Sequence, residues 1–205
     1  VTAHFIKSAA QPRDFVPDTG REVAIVGRSN SGKSSAINAI FGNQKLARVS
    51  KTPGRTQLVN FFALHDETRF VDLPGYGFAR VAPGVREGWQ KLMHGYFEGR
   101  ESLVGLLITV DIRRGVMELD TTMLVWAADL GIPVVILATK ADKISRNAGI
   151  NAARQMQRTA GVPVVRFSAL AKLGIDEARA HIEAWLRPVE RGPGHDDQGT
   201  RPGPK

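Results

Sequence analysis

Nine consecutive residues, Gly27-Arg28-Ser29-Asn30-Ser31-Gly32-Lys33-Ser34-Ser35, set glycine, lysine and serine at the spacing G-x-x-x-x-G-K-[ST]. That spacing holds nucleotide phosphates. Gly27 and Gly32 permit backbone conformations that a Cβ would block, so successive N–H groups can point inward at phosphate oxygens. Lys33 adds a point charge at the β and γ phosphates, and the Ser34 hydroxyl is placed to ligate Mg²⁺. The flanks complete the pattern. Val23-Ala24-Ile25-Val26 reads as a short buried strand and Ala36-Ile37-Asn38-Ala39-Ile40 as the helix behind it, whose free N–H groups and dipole face the same anion. A chance glycine turn would need neither flank.

The loop alone says only that phosphate is bound, and four further clusters decide which nucleotide. Asp72-Leu73-Pro74-Gly75 closes a predicted strand. An aspartate there can hold a water of the Mg²⁺ shell, and the Gly75 N–H can reach the γ-phosphate. Thr139-Lys140-Ala141-Asp142 follows a buried strand. Guanine offers two adjacent donors that one carboxylate, Asp142, can accept together, whereas adenine would leave that charge unpaired. The Lys140 stem can cover the base face. After another strand comes Phe167-Ser168-Ala169, where a backbone N–H can meet guanine O6. Finally, Gly54-Arg55-Thr56-Gln57-Leu58 lies in a long loop, where a threonine hydroxyl can complete the Mg²⁺ shell only when the γ-phosphate is present. Thr52 competes with Thr56 for that role.

The elements that must position these residues alternate along the chain. Strands are predicted over Glu22 to Val26, Gln57 to Leu64, Arg69 to Val71, Leu103 to Val110, Ile132 to Ala138 and Val162 to Phe167. Helices are predicted over Lys33 to Phe41, Glu118 to Leu130, Ala148 to Thr159 and Ile175 to Leu186. Val85, Trp89, Leu92, Met93, Tyr96 and Phe97 recur at helical spacing as one more core face. Such alternation specifies an α/β fold, a six-stranded, mostly parallel sheet with helices on both faces. Residues 1–20, with Phe5, Ile6, Phe15 and Val16 among prolines, are predicted to be an extended arm on the domain of residues 21–187. Residues 188–205, rich in Gly and Pro, are expected to be a disordered tail.

Composition bounds the function. In 205 residues, 42% of them hydrophobic, there is room for one well-buried core. Zero cysteines exclude disulfides, thiolate zinc sites and a cysteine nucleophile. Without a run long enough to span a membrane or an apolar leader, the chain is expected to be a soluble cytoplasmic protein. Its net charge of +8 points to an anionic partner larger than a nucleotide. Lys45, Arg48, Lys51 and Arg55, with no acidic residue between Gly42 and His65, concentrate part of that charge in the long loop and mark it as a candidate contact to RNA phosphates.

Taken together, the phosphate loop, Lys51-Thr-Pro-Gly-Arg-Thr-Gln-Leu58, Asp72-Leu-Pro-Gly-Tyr-Gly77, Thr139-Lys-Ala-Asp142 and Phe167-Ser-Ala169 resemble the EngB (YihA/YsxC) family of bacterial ribosome-biogenesis GTP-binding proteins. The resemblance runs from about Phe5 to Leu186. It implies a Ras-like, Era-like P-loop GTPase fold, Mg²⁺ with GTP or GDP, a role in large ribosomal subunit assembly, and a link to normal cell division and septation. It also implies Ser34 and Thr56 as the protein ligands of Mg²⁺, and Lys33, Thr56 and Gly75 as the catalytic set. Nothing is inherited by the tail.

One position departs from the Ras pattern. Tyr76 stands where Ras-like switches carry the glutamine that orients the attacking water, so slow intrinsic hydrolysis is expected. By resemblance to related GTPases Asn30 is a potassium ligand. The alternative is an asparagine chosen for the loop turn. The sequence is read as a monomeric, slow GTPase that times a step of large-subunit assembly, with stimulation by K⁺ or the ribosomal partner. The competing reading is a cell-division scaffold that holds GTP as a structural ligand.

Overall fold

The computed structural model describes residues 2–47, 58–77 and 83–188. The strands are β1 (His4–Ala9), β2 (Arg21–Gly27), β3 (Val59–Ala63), β4 (Thr68–Asp72), β5 (Leu103–Asp111), β6 (Val134–Thr139) and β7 (Val164–Arg166). They form one sheet in the order β1-β3-β4-β2-β5-β6-β7. From β4 to β7 all neighbours are parallel, while β3 runs antiparallel to both β4 and β1. The helices are α1 (Lys33–Phe41), α2 (Pro83–Phe97), α3 (Glu118–Asp129), α4 (Arg146–Ala160) and α5 (Ile175–Leu186).

Period-two alternation divides the core. Val23 and Ile25 of β2 join Ile37 and Ile40 of α1 and Ile182 of α5 on one face. Ala24 and Val26 join Met93 and Tyr96 of α2, Met123 of α3 and Met156 of α4 on the other. Gly105 in β5 has a packing reason, since a Cβ there would lie 2.2 Å from the Trp185 ring of α5.

The sheet has seven strands where the sequence predicts six. His4–Ala9 pairs with β3, with a register shift between Phe5 and Lys7. Five of its six residues are exposed, so the strand carries no buried alternation for a sequence reading to find. Elsewhere the elements agree within a few residues. Helix α4 starts two residues earlier than predicted, because Ser145 caps it by accepting from the Ala148 N–H at 3.3 Å. The predicted tail beyond residue 188 lies outside the described residues.

At the end of the sheet away from the phosphate loop, the fully buried Glu22 accepts from Arg69 Nε at 2.6 Å. It also accepts from Arg100 Nε at 2.6 Å and from the Tyr96 hydroxyl at 3.1 Å. Arg69 and Arg100 further donate to the carbonyls of Thr19 and Val16. The Arg100 guanidinium lies 5.2 Å from the centroid of the Phe61 ring. A carboxylate buried this deeply is tolerated only with such partners, and breaking a pair of this kind costs about 3–5 kcal/mol. Segment, strand and helix end are joined here by one charge.

Candidate nucleotide-binding site

The site is built at the carboxyl ends of β2, β4, β5, β6 and β7. Strand β2 ends at Gly27 and the loop runs to Gly32, which at φ 90° forms the N-cap of α1. The two glycines have different reasons to be there. Gly32 supplies a left-handed turn. Gly27 answers to space, since a Cβ would meet Thr109 Oγ1 at 2.0 Å and Ser31 Oγ at 2.6 Å. The sequence reading had given both one conformational reason. The Thr109 hydroxyl lies 3.3 Å from the Val26 carbonyl and shares a 2.6 Å hydrogen bond with the Ser31 hydroxyl, in which either oxygen can donate. From β6 the Thr139 hydroxyl reaches the Ser31 carbonyl and, at 3.1 Å, that of Val110.

These fixings aim the loop's amides. The Ser31 N–H is used by the Arg28 carbonyl and the Ser29 N–H by that of Tyr76. Those of Asn30, Gly32 and Lys33 meet no protein acceptor among the described residues, which leaves them available to an anion. Asn30 sits at φ 63°, a conformation asparagine tolerates better than most residues.

The Asp72-Leu73-Pro74-Gly75 segment continues β4. Asp72 is 8% exposed. Its carboxylate pairs with Lys33 Nζ and accepts from Asn60 Nδ2 at 3.2 Å. Leu73 is buried in the core and the Pro74 carbonyl faces the Trp89 indole. Gly75 lies close under the phosphate loop, where a Cβ would stand 3.1 Å from the Gly27 carbonyl. A parallel bridge between Arg28 and Tyr76 closes this contact, with Tyr76 N donating to Gly27 O at 3.2 Å.

The Tyr76 side chain is turned into the core toward α3. It is buried and its hydroxyl donates to Asp120 Oδ1 at 2.6 Å. The other oxygen of Asp120 accepts from Met117 N at 2.9 Å and caps α3. Burial, reinforced by the neighbouring Asp120 carboxylate, pushes the Tyr76 phenol far above its ordinary range. It remains a hydrogen-bond donor at any working pH.

At the ends of β6 and β7, Asp142 accepts from Ser168 Oγ at 2.6 Å, which holds its carboxyl below the usual range. Ala141 N donates to Phe167 O at 3.1 Å and joins the two loops. The N–H groups of Phe167 and Ser168 are taken by Ala138 and Leu173, so in this tripeptide Ala169 alone, among the described residues, has an N–H without a protein acceptor. The Lys140 ammonium donates to the Asn30 carbonyl at 2.7 Å and pairs with Asp111 at 3.0 Å, tying base loop to phosphate loop. Leu58 is half-buried just ahead of β3, and Ser34 is the second residue of α1. Gly54, Arg55, Thr56 and Gln57, together with Thr52, Arg48 and Lys51, lie outside the described residues.

Sequence reasoning missed Asp111, Arg113 and Asp120. Hydrogen bonds from Arg113, and then from Lys140, hold the Asp111 carboxyl well below the ordinary range. Asp111 closes its strand at the sheet edge where ligands of α/β folds bind, and that position was the available signal.

A parallel sheet that feeds a phosphate loop, an aspartate-glycine loop on the neighbouring strand and an aspartate loop two strands to the other side defines a P-loop GTPase. A family model described as 50S ribosome-binding GTPase matches residues 22–140. The chain belongs to the EngB family of GTP-binding proteins. It is 46% identical over 195 residues, 91% of this chain and 93% of the relative, to the probable GTP-binding protein EngB of Escherichia coli (strain K12). Among solved structures, that of a probable GTP-binding protein EngB has a TM-score of 0.65 at 22% identity, covering 80% of this chain and 98% of that one. NFeoB from S. thermophilus, bound to GDP.AlF4⁻ and K⁺, has a TM-score of 0.57 at 26% identity, covering 82% and 64%.

Replacing Tyr76 with Phe removes the donor to a fully buried carboxylate. The variant should lose about 1.5–3 kcal/mol of unfolding free energy in urea denaturation, and an unchanged midpoint would show that the bond carries no stability.

Proposed function

We propose that this GTPase is a Mg²⁺-dependent, slowly hydrolysing switch in assembly of the large ribosomal subunit, working in the cytoplasm as a monomer and needed for normal cell division and septation. The observation that carries the reading is the convergence of the phosphate, Asp72–Gly75 and Asp142 loops on one sheet edge. It occurs in a family whose model is described as 50S ribosome-binding GTPase. Among the described residues no helix is long and apolar enough to cross a membrane.

In this reading the amides of Asn30, Gly32 and Lys33 take the phosphates, and Lys33 moves between the γ-phosphate and Asp72. Asp142, held by Ser168, accepts the two guanine donors, and the Ala169 N–H meets O6. The donor set suits a hard cation, since the Ser34 hydroxyl and the buried Asp72 carboxylate both offer oxygen. Ser34 and Thr56 would hold the metal, with Asp72 behind a water. When bound, Mg²⁺ supplies charge neutralisation at the β and γ oxygens. The Gly75 N–H follows the γ-phosphate, so loss of that group releases the Asp72–Gly77 segment. Slow hydrolysis follows from Tyr76, whose hydroxyl is committed to Asp120 and not to an attacking water.

Asp142→Asn should weaken GTP by about a hundredfold and shift preference toward xanthosine triphosphate, as measured by nucleotide titration. Unchanged GTP affinity would remove the guanine assignment. Potassium beside Asn30 is a further part of the proposal, supported by the K⁺ bound to NFeoB. Hydrolysis should then be faster in KCl than in NaCl, and equal rates would leave Asn30 with its turn alone. The ribosomal role is tested by sedimentation with purified large subunits. The protein should travel with them in a GTP analogue and not in GDP. Absence from the subunit fraction in both states would overturn the role and favour a scaffold that holds GTP structurally.

A further inference from the structure

The positive charge of the described chain is concentrated in one place. Between Lys143 and Lys172 there are six basic residues, Lys143, Arg146, Arg154, Arg158, Arg166 and Lys172, and no acidic one, in a chain of net charge +8. Neighbouring helices have the opposite balance. Helix α3 carries Glu118, Asp120 and Asp129 without a basic residue, and α5 carries Asp176, Glu177 and Glu183 against Arg179. The basic side chains have little to neutralise them. Among the described residues, Arg146, Arg154, Arg158, Arg166 and Lys172 have no ion-pair partner, and Lys143 has only Asp142, at 3.4 Å. Like charges left unpaired on one helix cost stability, so the cluster calls for a reason outside the fold.

The composition of the face narrows its partner. The exposed positions Asn147, Asn151, Arg154, Gln155 and Arg158 fall in one stripe along α4. Beside it, between α4, β7 and the start of α5, runs a groove of about 330 Å³ lined by Arg154, Gln157 and Arg166, with Glu177 on the far wall. No exposed large apolar residue of the described chain lies on α4. Those residues sit on β1, on α3 and its ends, and at Leu170 and Leu173. A membrane surface needs an apolar face to insert, and a protein interface needs aromatic or aliphatic anchors. Unpaired guanidiniums interleaved with Asn and Gln amides suit phosphates, 2′-hydroxyls and base edges.

We propose that the outer face of α4, together with Arg166 of β7, docks the phosphate backbone of RNA. The proposal rests on the large-subunit reading above and adds the surface that makes the contact. This face is fixed by the core packing of Ala153 and Met156 and not by the loops that touch phosphate. It therefore supplies a contact present in both nucleotide states, while the switch loops decide how long the complex lasts.

The test uses the full chain, purified large subunits and protein-free large-subunit rRNA, with binding constants measured across a salt series. The Arg146→Gln/Arg154→Gln/Arg158→Gln variant should bind both probes at least tenfold more weakly near 0.15 M salt, and its log–log salt slope should fall by about two to three. GTP affinity should not change. Replacing the same three residues with Lys should restore the slope, because phosphates accept a point charge. A Lys7→Gln/Arg86→Gln/Lys91→Gln control, exposed and equal in charge loss, should stay near wild type. Wild-type binding and slope in the α4 variant would overturn the proposal and leave the ribosomal role standing. If wild type binds neither probe in any nucleotide state, the role fails and the face fails with it. Loss of subunits with rRNA retained would assign the face to a ribosomal protein, and equal loss in the control would reduce it to net charge. Either result overturns the RNA proposal.

Discussion

Two threonine hydroxyls hold the site together. Thr109 and Thr139, on adjacent parallel strands, are both nearly inaccessible to solvent and bond to the backbone or side chain of the phosphate loop. Their reach requires the loop to pass so close to β5 that position 27 has no room for a Cβ. Once the loop is pinned there, its amides, the start of α1 and the Asn30 carbonyl that receives Lys140 all have fixed positions. The relative placement of the Gly27–Lys33 and Thr139–Asp142 loops is thereby set by strand register, which is stiffer than any loop conformation.

The opposite end of the sheet performs the complementary task. Glu22, the second residue of β2, and Gly27, its last, lie about 16 Å apart at the rise of a β-strand. Around Glu22 two arginines and a tyrosine gather the segment before β2, strand β4 and the end of α2. Asp18 adds bonds to the backbone and hydroxyl of Ser102, which hold its carboxyl below the ordinary range although burial opposes them. Charge and hydrogen bonding thus fix the pole of the sheet opposite the site.

Much of this was legible in the residues, and unevenly so for physical reasons. The bounds of α1 and α5 match the sequence reading, because glycine caps and core periodicity coincide there. The phosphate, aspartate-glycine and base loops fall where their spacing put them, each at the end of a strand. Strand β1 escaped notice because its side chains face solvent and no local pattern records a strand whose only merit is its partner. Asp111 and Asp120 escaped because a single carboxylate acquires meaning only through residues distant in sequence, Lys140 for one and Tyr76 for the other. Tyr76 itself was read as a missing glutamine. The fold uses it as a buried strut between the segment after β4 and α3.

The sheet has two open margins. One margin is β7, three residues long; the other is β1, where Phe5 is 59% and Ile6 43% exposed. Two apolar side chains on an open strand would invite a second chain to extend the sheet by hydrogen bonding. The register shift between Phe5 and Lys7 breaks the regular spacing of donors and acceptors at that point, and the exposed Lys7 adds a charge to the edge. The other margin is too brief to template a ladder. One misaligned residue and one truncated strand thus leave both margins poorly suited to pairing with a further chain.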